Sequence, residues 1–114
     1  MAKAKIPDPL ERRHLVERGL PEAQAGRVAQ AYRAAGRQLE ALDFLAQAGD
    51  QEGLASVRRE AVESGDIFLL RAAANAQQDP PRHDEWQALS TAAEAAGKLR
   101  YAEDARRLAE REEE

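Results

Sequence analysis

Cysteine is absent from this 114-residue chain, which excludes a disulfide framework, a thiolate zinc site and a cysteine nucleophile. Aromatic residues are nearly as rare, with one Trp, two Tyr and two Phe. The β-branched residues that suit strands are sparse as well, so a sheet has little to be built from. No apolar run approaches the roughly 20 residues that a membrane span needs, and Met1 to Pro9 lacks the apolar stretch of a signal peptide. A bacterial-type cytoplasmic protein with no membrane partner is the expectation. Basic charge is not concentrated anywhere. The formal net charge is -4, with acidic and basic residues interleaved, which gives no footprint for a polyanion, and nucleic acid is not an expected partner.

What is present favours helix. Apolar residues make up 43% of the chain, too many for a disordered one. Ala supplies about half of that share and Leu most of the large side chains, and these two lead the helix-propensity ranking. Capping residues and glycines then divide the chain into about seven helices. Asp8-Pro9-Leu10-Glu11 offers a cap, a proline at the first helical position and a Glu three residues after the cap, so residues 8–18 form the first helix. After Gly19, Pro21 opens a helix to about Ala35 with Ala25, Val28, Ala29 and Tyr32 on one face. The next carries Leu39, Leu42, Leu45 and Ala46 on one side and ends at Gly49. Asp50 and Asp66 cap two further helices. The second of these begins Ile67-Phe68-Leu69-Leu70 and is apolar nearly all round, which predicts a central position. Asp79-Pro80-Pro81 breaks the helical pattern between Gln77 and His83. A helix with Trp86, Leu89, Ser90 and Ala93 on its face ends at Gly97, and a last one presents Leu99, Tyr101, Ala102, Ala105, Leu108 and Ala109.

Three helical hairpins emerge, at about residues 21–49, 50–77 and 84–111, preceded by the helix at 8–18. They form one domain over 8–111, with a flexible tail at 1–7 and an acidic one at 112–114. The internal glycines Gly36, Gly65 and Gly97 recur at the same turn, 29 and then 32 residues apart. The third hairpin reads Trp86-Gln87-Ala88-Leu89-Ser90-Thr91-Ala92-Ala93, with Gly97 and Ala102 following. The first has Val28-Ala29, Tyr32, Gly36, Ala41, Leu45 and Ala48. This pattern resembles the tetratricopeptide repeat, whose first helix carries Trp, then Leu-Gly, then Tyr. Ser90 and Ala93 stand in for the Gly and Tyr. The middle hairpin keeps Leu54, Val57, Ala61 and Gly65 but has bulky Leu70 where the family has a small residue. The clathrin and vacuolar-sorting type of helical repeat is nearly as similar, and an unrelated bundle of glycine-turned hairpins stays open.

The resemblance implies an all-α, right-handed stack of antiparallel hairpins, a TPR-like α-solenoid that binds a peptide or helix of another protein. It places a partner groove on the first helices of the hairpins, at Gln30, Arg33, Arg59, Glu63, Thr91 and Glu94. The clamp that some family members use for a C-terminal carboxylate is not evident, since Gly26 and Gln30 occupy that region. The alternatives are a self-associating structural module, such as a homodimer, and a helical regulatory subunit of a separate enzyme. Leu10, Leu15, Val16 and Leu20 wrap around the first helix and cannot all face one neighbour, so a second contact surface is expected at the N-terminal end.

Catalytic candidates are few. No HExxH, nucleophile elbow or phosphate-binding glycine loop occurs, and no enzyme activity, cofactor or metal is expected. His14 and His83 are read as solvated or capping residues. The pairs Arg12-Arg13, Arg58-Arg59 and Arg106-Arg107 are read as surface ion pairs along their helices. Glu103-Asp104 and Glu112 to Glu114 are read as solvated faces. The predicted core is Leu42, Leu45, Leu54, Val57, Phe68, Leu69, Trp86 and Leu89.

Overall fold

The structure, a computed structural model, describes residues 6–113, with side chains as far as Arg111. Seven α-helices and no strand occur among these residues, so the chain is all-α. In order they are α1 (Pro9–Arg18), α2 (Glu22–Ala34), α3 (Gln38–Gln47), α4 (Gln51–Ser64), α5 (Ile67–Gln77), α6 (His83–Ala95) and α7 (Leu99–Glu113). The expected N-terminal tail lies, through residue 5, outside the described residues, and Ile6 and Pro7 precede α1 without helix. At the other end α7 continues to Glu113, two residues past the expected limit, because nothing after Leu108 breaks a helix. Glu114 lies outside the described residues.

The caps follow the sequence. Asp8, Asp50 and Asp66 each accept a hydrogen bond from the backbone N–H three residues ahead, at 2.8, 2.9 and 3.0 Å, which satisfies a donor that the first helical turn leaves unpaired. The predicted hairpin glycines Gly36, Gly65 and Gly97 take φ of 75°, 69° and 78°. After each, the next backbone N–H returns to a carbonyl five residues earlier, as in Arg37 to Tyr32, Asp66 to Ala61 and Lys98 to Ala93. This is the Schellman stop, and it requires a left-handed residue.

The chain divides into two compact units, one through Leu54 and the other from Ala55, with the boundary inside α4. In the first unit α2 packs against α3, burying Ala25, Ala29 and Tyr32 against Ala41, Leu42, Phe44 and Leu45. The Tyr32 and Phe44 rings stack with centroids 5.7 Å apart. Helix α1 runs beside α3 in the same direction. Near its start Arg12 donates to the Glu40 carbonyl and the Asp43 carboxylate, both at 2.9 Å. At its end the Gln47 side chain donates to the Val16 carbonyl at 3.3 Å and accepts from the Leu20 N–H at 3.0 Å.

In the second unit α6 packs against α7, and α4 and α6 also run side by side in the same direction. Arg58 reaches Glu85 at the start of α6, while Gly65, just past the end of α4, meets Ala93 near the end of α6. A Cβ on Gly65 would sit 2.6 Å from the Ala93 Cα, so this turn needs glycine for space as well as for φ. Lys98 closes the same end by donating to the Ser64 carbonyl at 2.9 Å.

All of the predicted core residues are buried except Phe68, which is 59% exposed. The expectation that α5 is central, buried on nearly every side, fails: only one arc of it is covered. Successive helical residues step by about 100°, so four consecutive apolar residues cannot share one face. Ile67, Leu69, Leu70, Ala73 and Ala74 take the buried arc, and Phe68 falls on the outer arc with Arg71 and Asn75. For the same reason Leu39 leaves the side of α3 it was expected to share with Leu42 and Leu45 and is 55% exposed. On α7 the buried stripe consists of Ala102, Ala105 and Ala109, with Leu99 exposed and Tyr101 and Leu108 half-buried.

Candidate functional site

The outer arc of α5 and one side of α7 form the walls of a solvent-facing groove in the second unit. Its first part, about 300 Å³, is lined by Phe68 and Arg71 from α5 and by Tyr101, Asp104, Leu108 and Arg111 among the α7 residues. The Phe68 and Tyr101 rings meet edge to face with centroids 5.7 Å apart, a favoured aromatic geometry that keeps both rings in place without burying them. The second part, about 490 Å³, shares Arg71 and Leu108 and continues past Asn75 and Gln78 to Pro80, Pro81 and Trp86. The two parts are therefore one surface running the length of α5.

Three arginines, Arg71, Arg107 and Arg111, line the first part against one acidic residue, Asp104. Arg107 pairs with Glu103 one turn before it, at 2.8 Å, as expected for an exposed i,i+4 pair. This end of the groove is positive on a chain whose formal net charge is -4.

The far end is shaped by Arg58. The sequence predicts Arg58 at the surface, paired along its own helix, but it is only 7% exposed. Its Nε and Nη2 donate to the two Glu85 carboxylate oxygens at 2.7 and 2.6 Å. Nη1 donates to the Gln77 side-chain oxygen and to the Asp79 carbonyl at 3.0 and 2.8 Å, and Nη2 also reaches the Pro80 carbonyl at 3.2 Å. Asp79 and Pro80 line the groove, so Arg58 fixes the backbone that forms its end wall. Glu85 additionally accepts from the Arg82 N–H at 3.0 Å. The Arg58 hydrogen bonds hold the Glu85 carboxyl below its ordinary pKa, against the opposing effect of burial.

This arrangement was readable in part. Leu54, Arg58, Ala61 and Gly65 follow a 4-3-4 spacing, so Arg58 sits on the buried stripe of α4. The partners, 19 to 27 residues away, carry no such signal. Arg12 is corrected in the same sense. It bridges α1 to α3 and lies over the Tyr32 and Phe44 rings, 5.7 and 5.6 Å from their centroids, whereas Arg13 pairs with Glu17 along its helix as expected. The Tyr32 hydroxyl is buried without a hydrogen bond of good geometry, and burial raises its pKa, an effect that nearby Arg12 opposes.

The residues proposed for the first-helix groove are distributed over both units. Gln30 is exposed and Arg33 half-buried on α2, with Arg33 donating to Gln38 at 3.1 Å. Arg59 and Glu63 are exposed one turn apart on α4, and Thr91 and Glu94 are exposed one turn apart on α6. At the N-terminal end Leu10 is 66% exposed, while Leu15, Val16 and Leu20 are half-buried. His14 is exposed on α1. His83 is half-buried with Nδ1 2.6 Å from the Ala109 carbonyl, joining the start of α6 to the end of α7. Among the described residues no three His, Asp or Glu side chains gather to hold a metal, and no helix is long and apolar enough to cross a membrane. Comparison with known proteins gives no matching family model, no match among curated proteins and no match among solved structures.

Proposed function

We propose that this chain is a non-catalytic interaction module of tetratricopeptide-like type, a scaffold that holds a peptide or helix of a partner protein. The observation that supports it is the side-by-side, same-direction placement of helices about one hairpin apart in sequence: α1 with α3 in one unit and α4 with α6 in the other. Repeated hairpins placed in this way leave long inter-helix surfaces open to solvent, and repeat proteins use such surfaces for binding. The proposed partner is a protein rather than a nucleic acid, because the interleaved charge offers no continuous basic track. Its candidate faces are Arg59, Glu63, Thr91 and Glu94 on the first helices and the groove between α5 and α7.

The test is site-specific photo-crosslinking in cells that make the protein natively. A crosslinking amino acid at Arg59, Thr91 or Asn75 is expected to capture a distinct polypeptide that one at exposed Glu22 does not. The absence of adducts at all three positions removes the reading. The alternative, self-association, is favoured by one observation, the exposure of both Leu10 and Leu39 in the first unit. Adducts consisting only of the chain with itself would establish it.

A further inference from the structure

Resting on that reading, we infer that the groove between α5 and α7 takes an acidic amphipathic helix, seated with large apolar side chains on Phe68, Tyr101 and Leu108 and with carboxylates facing Arg71 and Arg111. Three features select this occupant. The walls are two helices running in the same direction, since Phe68 meets Tyr101 at their starts and Ala74 and Asn75 of α5 line the groove together with Leu108, two-thirds along α7. A third helix fits such a trough by laying an i, i+3, i+4, i+7 face into it. The outer arc of α5 from Phe68 to Gln78 extends about 15 Å, which is about three helical turns of an occupant.

The apolar contacts are of the kind that anchor a partner. Phe68 is a large side chain left 59% exposed in a chain with only five aromatic rings, and aromatic anchors carry a disproportionate share of interface affinity. The charge then fixes the sign of the partner. Arg71 and Arg111 are exposed at the rim, and neither forms an ion pair with another described residue. Asp104, half-buried on the α7 wall, is the acidic group lining this part. A second copy of this chain is not the favoured occupant: exposed Leu10 is followed by Glu11, Arg12 and Arg13, and Glu40 and Asp43, the carboxylates near exposed Leu39, already pair with Arg37 and Arg12.

The chain carries its own reporter. Trp86 is its single tryptophan and lines the far part of the groove. Three synthetic helices of about three turns are titrated against it while Trp86 emission is followed. One has Leu at i, i+3, i+4 and i+7 with Glu elsewhere, one has Lys in place of Glu, and one has the Leu and Glu positions scrambled. The Glu helix is expected to saturate the signal at least tenfold more tightly than either control, and added salt should narrow its lead over the Lys helix. Phe68→Ala should weaken it by about tenfold or more. Arg71→Glu and Arg111→Glu should each weaken it by severalfold and bring the Glu and Lys helices closer together, and these exposed positions let the variants fold. Equal binding of the Lys helix, equal binding of the scrambled helix, or indifference to Phe68→Ala overturns the inference. So does concentration-dependent self-association that Phe68→Ala abolishes, which would make the occupant a second copy. If crosslinks appear at Arg59 or Thr91 while no helix binds the groove, this inference falls and the interaction-module reading stands.

Discussion

In the first unit Arg12 joins α1 to α3 by two hydrogen bonds while lying over the Tyr32 and Phe44 rings, whereas in the second unit Arg58 joins α4 to α6 inside a ring of oxygen acceptors. The Arg12 side chain is 22% exposed, and its carboxylate partner Asp43 is 52% exposed. Its contacts with Tyr32 and Phe44 are therefore screened and individually modest. Arg58 and Glu85 are each less than half as exposed as their counterparts, at 9% and 23%, and Arg58 also satisfies the Asp79 and Pro80 carbonyls, which have no helix to bond within. The two bridges span similar distances in sequence. What separates them is how much each leaves uncompensated when it is removed.

The largest expected effect follows from that difference. Arg58→Ala leaves the Glu85 carboxylate with only the Arg82 N–H and two loop carbonyls without the Arg58 donor, and should cost about 3–5 kcal/mol in urea unfolding. Arg12→Ala should cost only about 1 kcal/mol. Arg58→Lys should recover little, because an ammonium cannot reproduce the fork that meets both Glu85 oxygens. Equal losses at Arg12 and Arg58 would break the distinction between the units.

A second contrast divides the hairpin turns. Gly36 and Gly97 have nothing within 4 Å of where a Cβ would stand, while Gly65 would place one 2.6 Å from the Ala93 backbone. Ala at position 36 or 97 should cost about 1 kcal/mol from backbone conformation alone. Gly65→Ala should cost about 2–4 kcal/mol, since α4 and α6 must also move apart. Thermal melts of the three variants order them; a Gly65→Ala protein as stable as the other two would mean that α6 yields without loss. Phe68→Ala, read from the sequence as a core deletion, should now change stability by well under the 3–5 kcal/mol of a buried aromatic truncation.

Helix number, caps and glycine turns were legible because each is written within a few residues: Asp at the cap, glycine at the left-handed stop, and apolar residues three and four apart. The burial of Trp86, Leu89 and Val57 was legible for the same reason. The groove was not. Finding it required knowing that Phe68 and Tyr101, on different helices, lie side by side, and the run Ile67-Phe68-Leu69-Leu70 reads as uniformly apolar until the 100° step is applied residue by residue. Arg58 was half legible, since its position on the buried stripe of α4 could be read while the acceptors that make its burial tolerable could not.

A smaller effect separates the units by pH and salt. In both, a carboxyl titrates below its ordinary value because of an arginine hydrogen bond: Glu85 through Arg58 and Glu40 through Arg37. Each folded carboxyl binds its proton less readily than the unfolded one. The stability it contributes is complete above the unfolded pKa of about 4.3 and is lost as pH falls through the lowered folded value. Glu85→Gln should flatten this acid limb more than Glu40→Gln. High salt should erase the Glu40 part, which lies at the surface, and spare more of the Glu85 part. Matching acid limbs for the two variants at high salt would place both pairs in the same environment.

The smallest expected effect sharpens the comparison of turns. α5 ends on the same 6→1 hydrogen bond as the glycine turns, from the Asp79 N–H to the Ala74 carbonyl at 3.0 Å, yet its left-handed residue is Gln78, with φ of 54°. A side chain there costs about 1–2 kcal/mol in backbone energy, partly offset because glycine loses more freedom on folding. Gln78→Gly should therefore stabilise the protein by about 0.5–1 kcal/mol, and Gln78→Asn, whose short side chain tolerates the left-handed region, should fall between. The gain should appear as slower unfolding if this turn closes after the rest of the second unit has formed. A Gly variant less stable than the parent would show that the Gln78 side chain, which lines the groove beside Pro81 and Trp86, contributes more through its contacts than the strained backbone costs.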